Sequence, residues 1–156
     1  MTASSTLQVV AYAVVDGNRL LTVRKQNTAK FMFPGGKPEP GEDSFAAVVR
    51  EVREELNCQV DLPTVQFLGE FITAAANEAN TRLVAHVFCG QLLGEPIAAS
   101  EIAEIRWLAA QPGSQQPDID PALLAPLITD CVWPRLLALS HLQSAPAVLS
   151  QPSGSN

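Results

Sequence analysis

Apolar residues run from Leu7 to Val15 with only Gln8 and Tyr12 interrupting, and a second apolar stretch, Leu20 to Val23, follows Asp16-Gly17-Asn18. Two such runs separated by a Gly-Asn turn predict a β-hairpin. Gln26 to Lys30 is polar and loop-like, and Phe31-Met32-Phe33 reads as a short extended piece. The following Pro34-Gly35-Gly36-Lys37-Pro38-Glu39-Pro40-Gly41 is too rich in Pro and Gly for helix or regular strand. The pattern then changes period. Within Ser44 to Asn57, the residues Phe45, Val48, Val49, Val52 and Leu56 recur on one helical face, with Asp43 or Ser44 placed to cap the first turn.

Downstream, Val65 to Ala74 and Arg82 to Gln91 read as strands around the turn-prone Asn77-Glu78-Ala79-Asn80, and a short strand is expected near Ile105 to Leu108. Despite its prolines, the segment from Pro117 to Leu142 has helical composition at Ala122 to Ile128 and at Cys131 to Leu139. One or two helices packed on the sheet are expected there. With 156 residues, 47% of them hydrophobic, the chain reads as one domain over residues 1–142 followed by a Ser/Pro/Gly-rich tail over 143–156.

Charge narrows the partners. A net charge of −6 argues against gripping a nucleic-acid polymer, which needs clustered Lys and Arg. A small anionic substrate would need a divalent cation to bridge it to an acidic protein. No apolar stretch approaches the roughly 20 residues that cross a bilayer, and Met1 to Thr6 shows no signal-peptide pattern. Cys58, Cys89 and Cys131 are odd in number and widely spaced, as expected of reduced thiols. A cytoplasmic protein with no membrane partner is the expectation.

On a helical wheel Glu51, Glu54 and Glu55 share about a third of the circumference, roughly opposite the apolar face. Alone, such a cluster is commonly a solvated face. Joined to Gly35, Gly36 and Gly41, which let backbone approach a ligand closely, and to a fourth acid at Glu42, it becomes a set of oxygen donors suited to hard Mg²⁺ ions.

Gly36, Glu42 and the run Arg50-Glu51-Val52-Arg53-Glu54-Glu55-Leu56-Asn57-Cys58 resemble, in identity and spacing, the box G-x5-E-x7-R-E-U-x-E-E-x-G-U of the Nudix family. Asn57 stands in place of the usual Gly and Cys58 in place of an aliphatic residue. Asn tolerates the left-handed backbone that often ends a helix, and neither change touches an acid.

The resemblance implies an α/β fold, an αβα sandwich with a mixed central sheet, and hydrolysis of a diphosphate linkage in a nucleotide-like molecule with Mg²⁺ or Mn²⁺. It implies Glu51, Glu54 and Glu55 as metal ligands, with Glu54 or Glu51 as base toward water. Arg50 would orient a glutamate, and Glu42 would bind metal through water or brace the loop with Gly36. The family's marks for ADP-ribose or dinucleoside polyphosphates are missing at Thr73 to Ala76, which leaves a nucleoside triphosphate or modified dNTP as the expected substrate.

A non-catalytic, nucleotide-sensing relative is the alternative, but it would be expected to have lost box acids. Outside the box, Arg24 and Lys37 are candidates for substrate phosphate, Gly35 for close approach to substrate, and Phe31 for stacking on a base or plugging the core. Glu101, six residues before Trp107, is a candidate further metal ligand or a surface charge. His86 reads as a hydrogen-bonded sheet residue, and Trp107 and Trp133 as core anchors. A homodimer is left open.

Overall fold

A computed structural model describes residues 5–76, 78–139 and 141–142, so the expected tail lies outside the described residues. The strands are β1 (Ser5–Asp16), β2 (Arg19–Lys25), β3 (Gly35–Gly36), β4 (Gln59–Val60), β5 (Gln66–Ala74), β6 (Thr81–Gly90), β7 (Leu92–Leu93) and β8 (Ile102–Ala109). The helices are α1 (Ser44–Leu56) and α2 (Trp133–Ala138).

The apolar run that predicted β1 becomes the middle of the molecule: Val10 to Val14 are all buried, as a strand covered on both faces requires. β1 pairs in parallel with β6 from Ser5↔Thr81 to Val14↔Gly90, and the other pairings between these strands are antiparallel. The resulting mixed sheet has the order β5-β6-β1-β2-β8, with β3 added against β1, while β4 and β7 form a separate ribbon. The β1–β2 hairpin closes through Gly17-Asn18, and Gly17 takes φ 64°.

Alternation along β1 divides the core in two. Val10, Tyr12 and Val14 pack with Val48, Val52 and Leu56 of α1. Ala11 and Ala13 pack on the opposite side with Ile128, Val132, Trp133 and Leu136. This is the αβα sandwich expected. Asp43 caps α1 by accepting from Ala46 N at 2.7 Å, and Asn57 ends it with φ 53°, the left-handed conformation that a Gly-to-Asn exchange must keep.

Four expectations need correction. The Pro/Gly loop contains a strand after all, because Gly35 and Gly36 pair with Ala11 and Val10. Gly35 has φ 154°, and a Cβ there would strike the Val10 carbonyl, so only glycine lets the chain lie this close to β1. β8 starts at Ile102, well before Ile105. Phe45 is 37% exposed, at the first turn of α1, where its ring meets only the edge of the sheet through Phe88, centroids 5.7 Å apart.

Of the one or two helices expected in the C-terminal segment, one α-helix forms, and the stretch at Ala122 to Ile128 is not α-helical. The segment runs as a 3-10 turn (Pro121–Leu123), a π-helical turn (Leu127–Val132) and then α2. Pro134 has no N–H to donate back to Asp130, and Trp133 N donates five residues back to Ile128 O, so the turn before the proline widens. Trp133 is 4% exposed, whereas Trp107 is half-buried under the Arg19 guanidinium.

Candidate active site

β3 passes beside the second half of α1, and that contact decides how the helix acids sit. Gly35 N donates to Glu55 Oε1 at 3.0 Å. Glu55 is only 2% exposed, and its second oxygen, Oε2, has no hydrogen-bond partner. The three glutamates therefore do not share a solvated face. Glu54 is 52% exposed, Glu51 13%, and Glu55 belongs to the interior. Burial, with Glu51 charged alongside, pushes the Glu55 carboxyl up to about 8, and burial also raises Glu51 against the opposing pull of Arg50. Gly36 has its own reason to be glycine, because a Cβ there would run into the Glu51 carboxylate.

Arg50 ties the loop to the helix. Its Nε and Nη2 donate to the two oxygens of Glu42 at 2.8 and 2.9 Å, a paired contact of the kind that gives strong charge-assisted bonds. Nη2 also donates to the Lys37 carbonyl at 3.1 Å, and Nη1 reaches Glu51 Oε2 and Glu54 Oε1, each at 3.2 Å. The expected Arg50–Glu54 pair is present, but Glu42 is the dominant partner. Arg50 holds the Glu42 carboxyl down at about 2.

A cavity of about 270 Å³ opens next to Gly35 and Gly36, walled by aliphatic side chains of β1 and β6 and by Leu127. Lys25, Thr28 and Glu78 bring polar groups to it. Lys25 also lies close enough for its charge to offset part of the rise at Glu55, and its Nζ is 3.3 Å from Glu101 Oε2.

The residues expected from sequence separate here. Glu42, Arg50, Glu51, Glu54, Glu55, Gly35 and Gly36 gather around the β3–α1 contact. Glu101, 60% exposed, joins them only through Lys25. Arg24 instead bonds its cross-strand neighbour Glu104 at 3.2 Å and the Thr28 carbonyl at 3.0 Å, which supports the surface-cation reading. Phe31 is 4% exposed and its backbone bridges to Leu123, so the packing supports a core plug over a base platform. The Lys37 side chain is exposed. His86 shares hydrogen bonds with Ser44 Oγ at 2.7 Å and Glu70 Oε1 at 2.8 Å, as a sheet residue should.

Lys25 is the residue that sequence reasoning passed over. The signal was its place beside Arg24 at a strand end, where the β2–β8 register slips and successive side chains leave on different sides.

Glu51, Glu54 and Glu55 offer the oxygen donors that hard divalent cations take. The unpartnered Glu55 oxygen is the feature that fits such an ion, since a buried carboxylate without a counter-charge is costly. Among the described residues no three such side chains already converge as ligands. Arg50 holds Glu54 and one oxygen of Glu51.

The chain matches the NUDIX domain family over residues 5–125. It is 32% identical over 120 residues to a Mycobacterium tuberculosis protein named "Putative 8-oxo-dGTP diphosphatase 2", covering 67% of this chain and 82% of that one. Among solved structures it resembles the E. coli ORF135 protein, with TM-score 0.65, 23% identity, and coverage of 88% of this chain and 92% of that one. It also resembles a MutT NUDIX hydrolase from Burkholderia pseudomallei, with TM-score 0.60, 22% identity, and coverage of 76% and 93%. Those two likenesses speak for the fold. The family match over most of the chain and the relative covered for four-fifths of its length go further, and this protein belongs to the Nudix family of hydrolases, enzymes acting on phosphoanhydride bonds.

Proposed function

We propose that this protein is a metal-dependent pyrophosphohydrolase of nucleoside triphosphates or modified dNTPs, working in the cytoplasm with Mg²⁺ or Mn²⁺. The observation that carries the reading is Glu55: a buried carboxylate with one oxygen unpartnered, beside Glu51 and at the edge of a cavity. A family member whose curated relative is named for a nucleotide substrate gives the substrate class its support.

Glu51 and Glu55 would hold the cation from the buried side, and Glu54, half exposed, would turn from Arg50 to complete the set. When bound, such a cation supplies Lewis-acid chemistry, lowering the pKa of water and offsetting phosphoryl charge. Glu54 or Glu51 would take the proton from the attacking water. Arg50 keeps the loop and helix in register through Glu42 and the Lys37 carbonyl. Lys25 stands at the cavity, able to meet a phosphate oxygen, and Glu101 would assist from the β8 side. The acidic charge of −6 supports a small nucleotide over a polymer as partner.

The test is phosphate and pyrophosphate release from a panel of nucleoside triphosphates, dinucleotides and nucleotide sugars with Mg²⁺ or Mn²⁺. Turnover of triphosphates to monophosphates is expected. Exclusive turnover of ADP-ribose or dinucleoside polyphosphates would overturn the substrate class, and no turnover of any compound would return the protein to a sensing role.

A further inference from the structure

Ser44, His86 and Glu70 come from three different elements, α1, β6 and β5, and meet away from the acids of the Nudix box. Ser44 Oγ lies 2.7 Å from His86 Nδ1, and His86 Nε2 lies 2.8 Å from Glu70 Oε1. A carboxylate can only accept, so Nε2 carries the ring hydrogen and Nδ1 of the neutral ring keeps its lone pair. The Ser44 hydroxyl therefore donates to Nδ1. A hydroxyl bonded to a base, with that base turned by a carboxylate, is the arrangement that activates a serine for attack on a carbonyl carbon.

The surroundings suit a neutral, aromatic substrate. Phe67 stands edge-on to His86, centroids 5.9 Å apart, and to Phe88 at 5.2 Å, and Phe88 meets Phe45 at 5.7 Å. Phe67 and Phe45 are exposed, so this run of rings beside Ser44 is open to solvent and able to take another ring. Ser44 is half-buried and Glu70 is about half exposed. With Asp43 next in sequence and Glu70 on the far side of His86, an anionic substrate meets like charge.

Ser44 is also the first residue of α1, where intrahelical bonding leaves N–H groups open. Asp43 takes the N–H of Ala46. The N–H of Phe45, directly after the serine, would receive the carbonyl oxygen as charge builds on it.

We infer that Ser44 is the nucleophile of a second, metal-independent hydrolytic site, which cleaves neutral carboxylic esters bearing an aromatic group. Ser44 Oγ bonds to the carbonyl carbon as its proton passes to His86 Nδ1, and the ester C–O bond breaks as the leaving oxygen takes that proton. Water then adds to the acyl-Ser44, giving a proton to Nδ1. That proton returns to Ser44 Oγ as the acid leaves, so ester and water become acid and alcohol. Glu70 acts through His86 as a positioning residue. Glu51 lies seven residues further along α1, about 10 Å at about 1.5 Å per residue, so the two chemistries use separate side chains.

The test uses the full chain in chelator, which silences metal-dependent hydrolysis. An aryl fluorophosphonate is added and the labelled residue is mapped by peptide mass spectrometry, and p-nitrophenyl acetate reports turnover. Labelling at Ser44 and saturable p-nitrophenol release are expected. Ser44→Ala and His86→Gln should each lower release about 10²-fold, the scale of a lost nucleophile or general base.

Glu70→Gln can hand an amide N–H to Nε2, which turns the ring lone pair away from Ser44; kcat should fall about tenfold with KM unchanged. Phe67→Ala should instead raise KM about threefold and leave kcat alone, as loss of one ring contact would. No label on Ser44, a label on a cysteine in its place, or wild-type release from Ser44→Ala overturns the inference. The labelling arm needs only the unaltered chain, so it decides even where a variant fails to fold.

Discussion

Replacing Glu55 by Gln separates an ion site from a packing role. Glu55 is 2% exposed, accepts one hydrogen bond from Gly35 and leaves Oε2 without a hydrogen-bond partner. Its carboxyl is raised from 4.5 to about 8, mainly by burial. A raised folded-state value means the protonated form is the one the fold favours. The associated stability is therefore complete below about pH 4.5 and lost as pH climbs through about 8.

Gln keeps the acceptor for Gly35 N, offers an amide donor to Glu51 and carries no charge. The penalty it relieves at pH 8 is of the order of a few kcal/mol, so at about 2–4 °C per kcal/mol for a domain of this size the Tm in chelator should rise by about 5 °C. With Mg²⁺ the order reverses: wild type gains stability and Glu55→Gln does not. Turnover in the variant should fall by at least about 10²-fold. Thermal unfolding from pH 5 to 8.5, with chelator and with Mg²⁺, checks all three statements. A variant equally destabilised at every pH, with its Mg²⁺ response intact, would show that Glu55 is only a packing group.

Gly36→Ala places a methyl group into the Glu51 carboxylate; the Mg²⁺ concentration for half-maximal thermal stabilisation should rise about tenfold, on the scale of a disturbed supporting contact. Glu101→Gln releases Lys25 and removes a candidate ligand, so activity should drop about tenfold to a hundredfold with more metal required; unchanged rate and metal dependence would leave Glu101 as a surface partner of Lys25. Glu42, held near pKa 2 by Arg50, contributes stability above about pH 4.5 that is lost as pH falls toward 2. Glu42→Gln should lack that acid-limb loss when Tm is followed from pH 6 to 2.5.

The parts of the fold written in strong periodicity were legible. The hairpin of β1 and β2, the pair β5 and β6, and α1 with Asp43 and Asn57 as caps follow from apolar runs, turn residues and cap chemistry. Residues whose placement depends on a distant backbone were not. Glu55 lies next to Glu51 on a wheel, yet β3 covers one and only part of the other, and that coverage exists because Gly35 can approach Val10.

The same contact turned a Pro/Gly loop into a strand. The widened turn at Leu127–Val132 reflects Pro134 acting on carbonyls behind it, which a composition reading takes for ordinary helix. Arg24 and Lys25 look equivalent in sequence, and only the β2–β8 register decides that one meets Glu104 and the other the cavity.

The proposed function requires that the buried acids of α1 hold a divalent cation that drives phosphoanhydride hydrolysis. The measurement that reaches it most directly is release of pyrophosphate and nucleoside monophosphate from a nucleoside triphosphate panel, followed during Mg²⁺ titration and then with excess chelator. Turnover should rise with Mg²⁺, stop in chelator and return when the metal is restored. Full activity in chelator, or turnover indifferent to Mg²⁺, would contradict it.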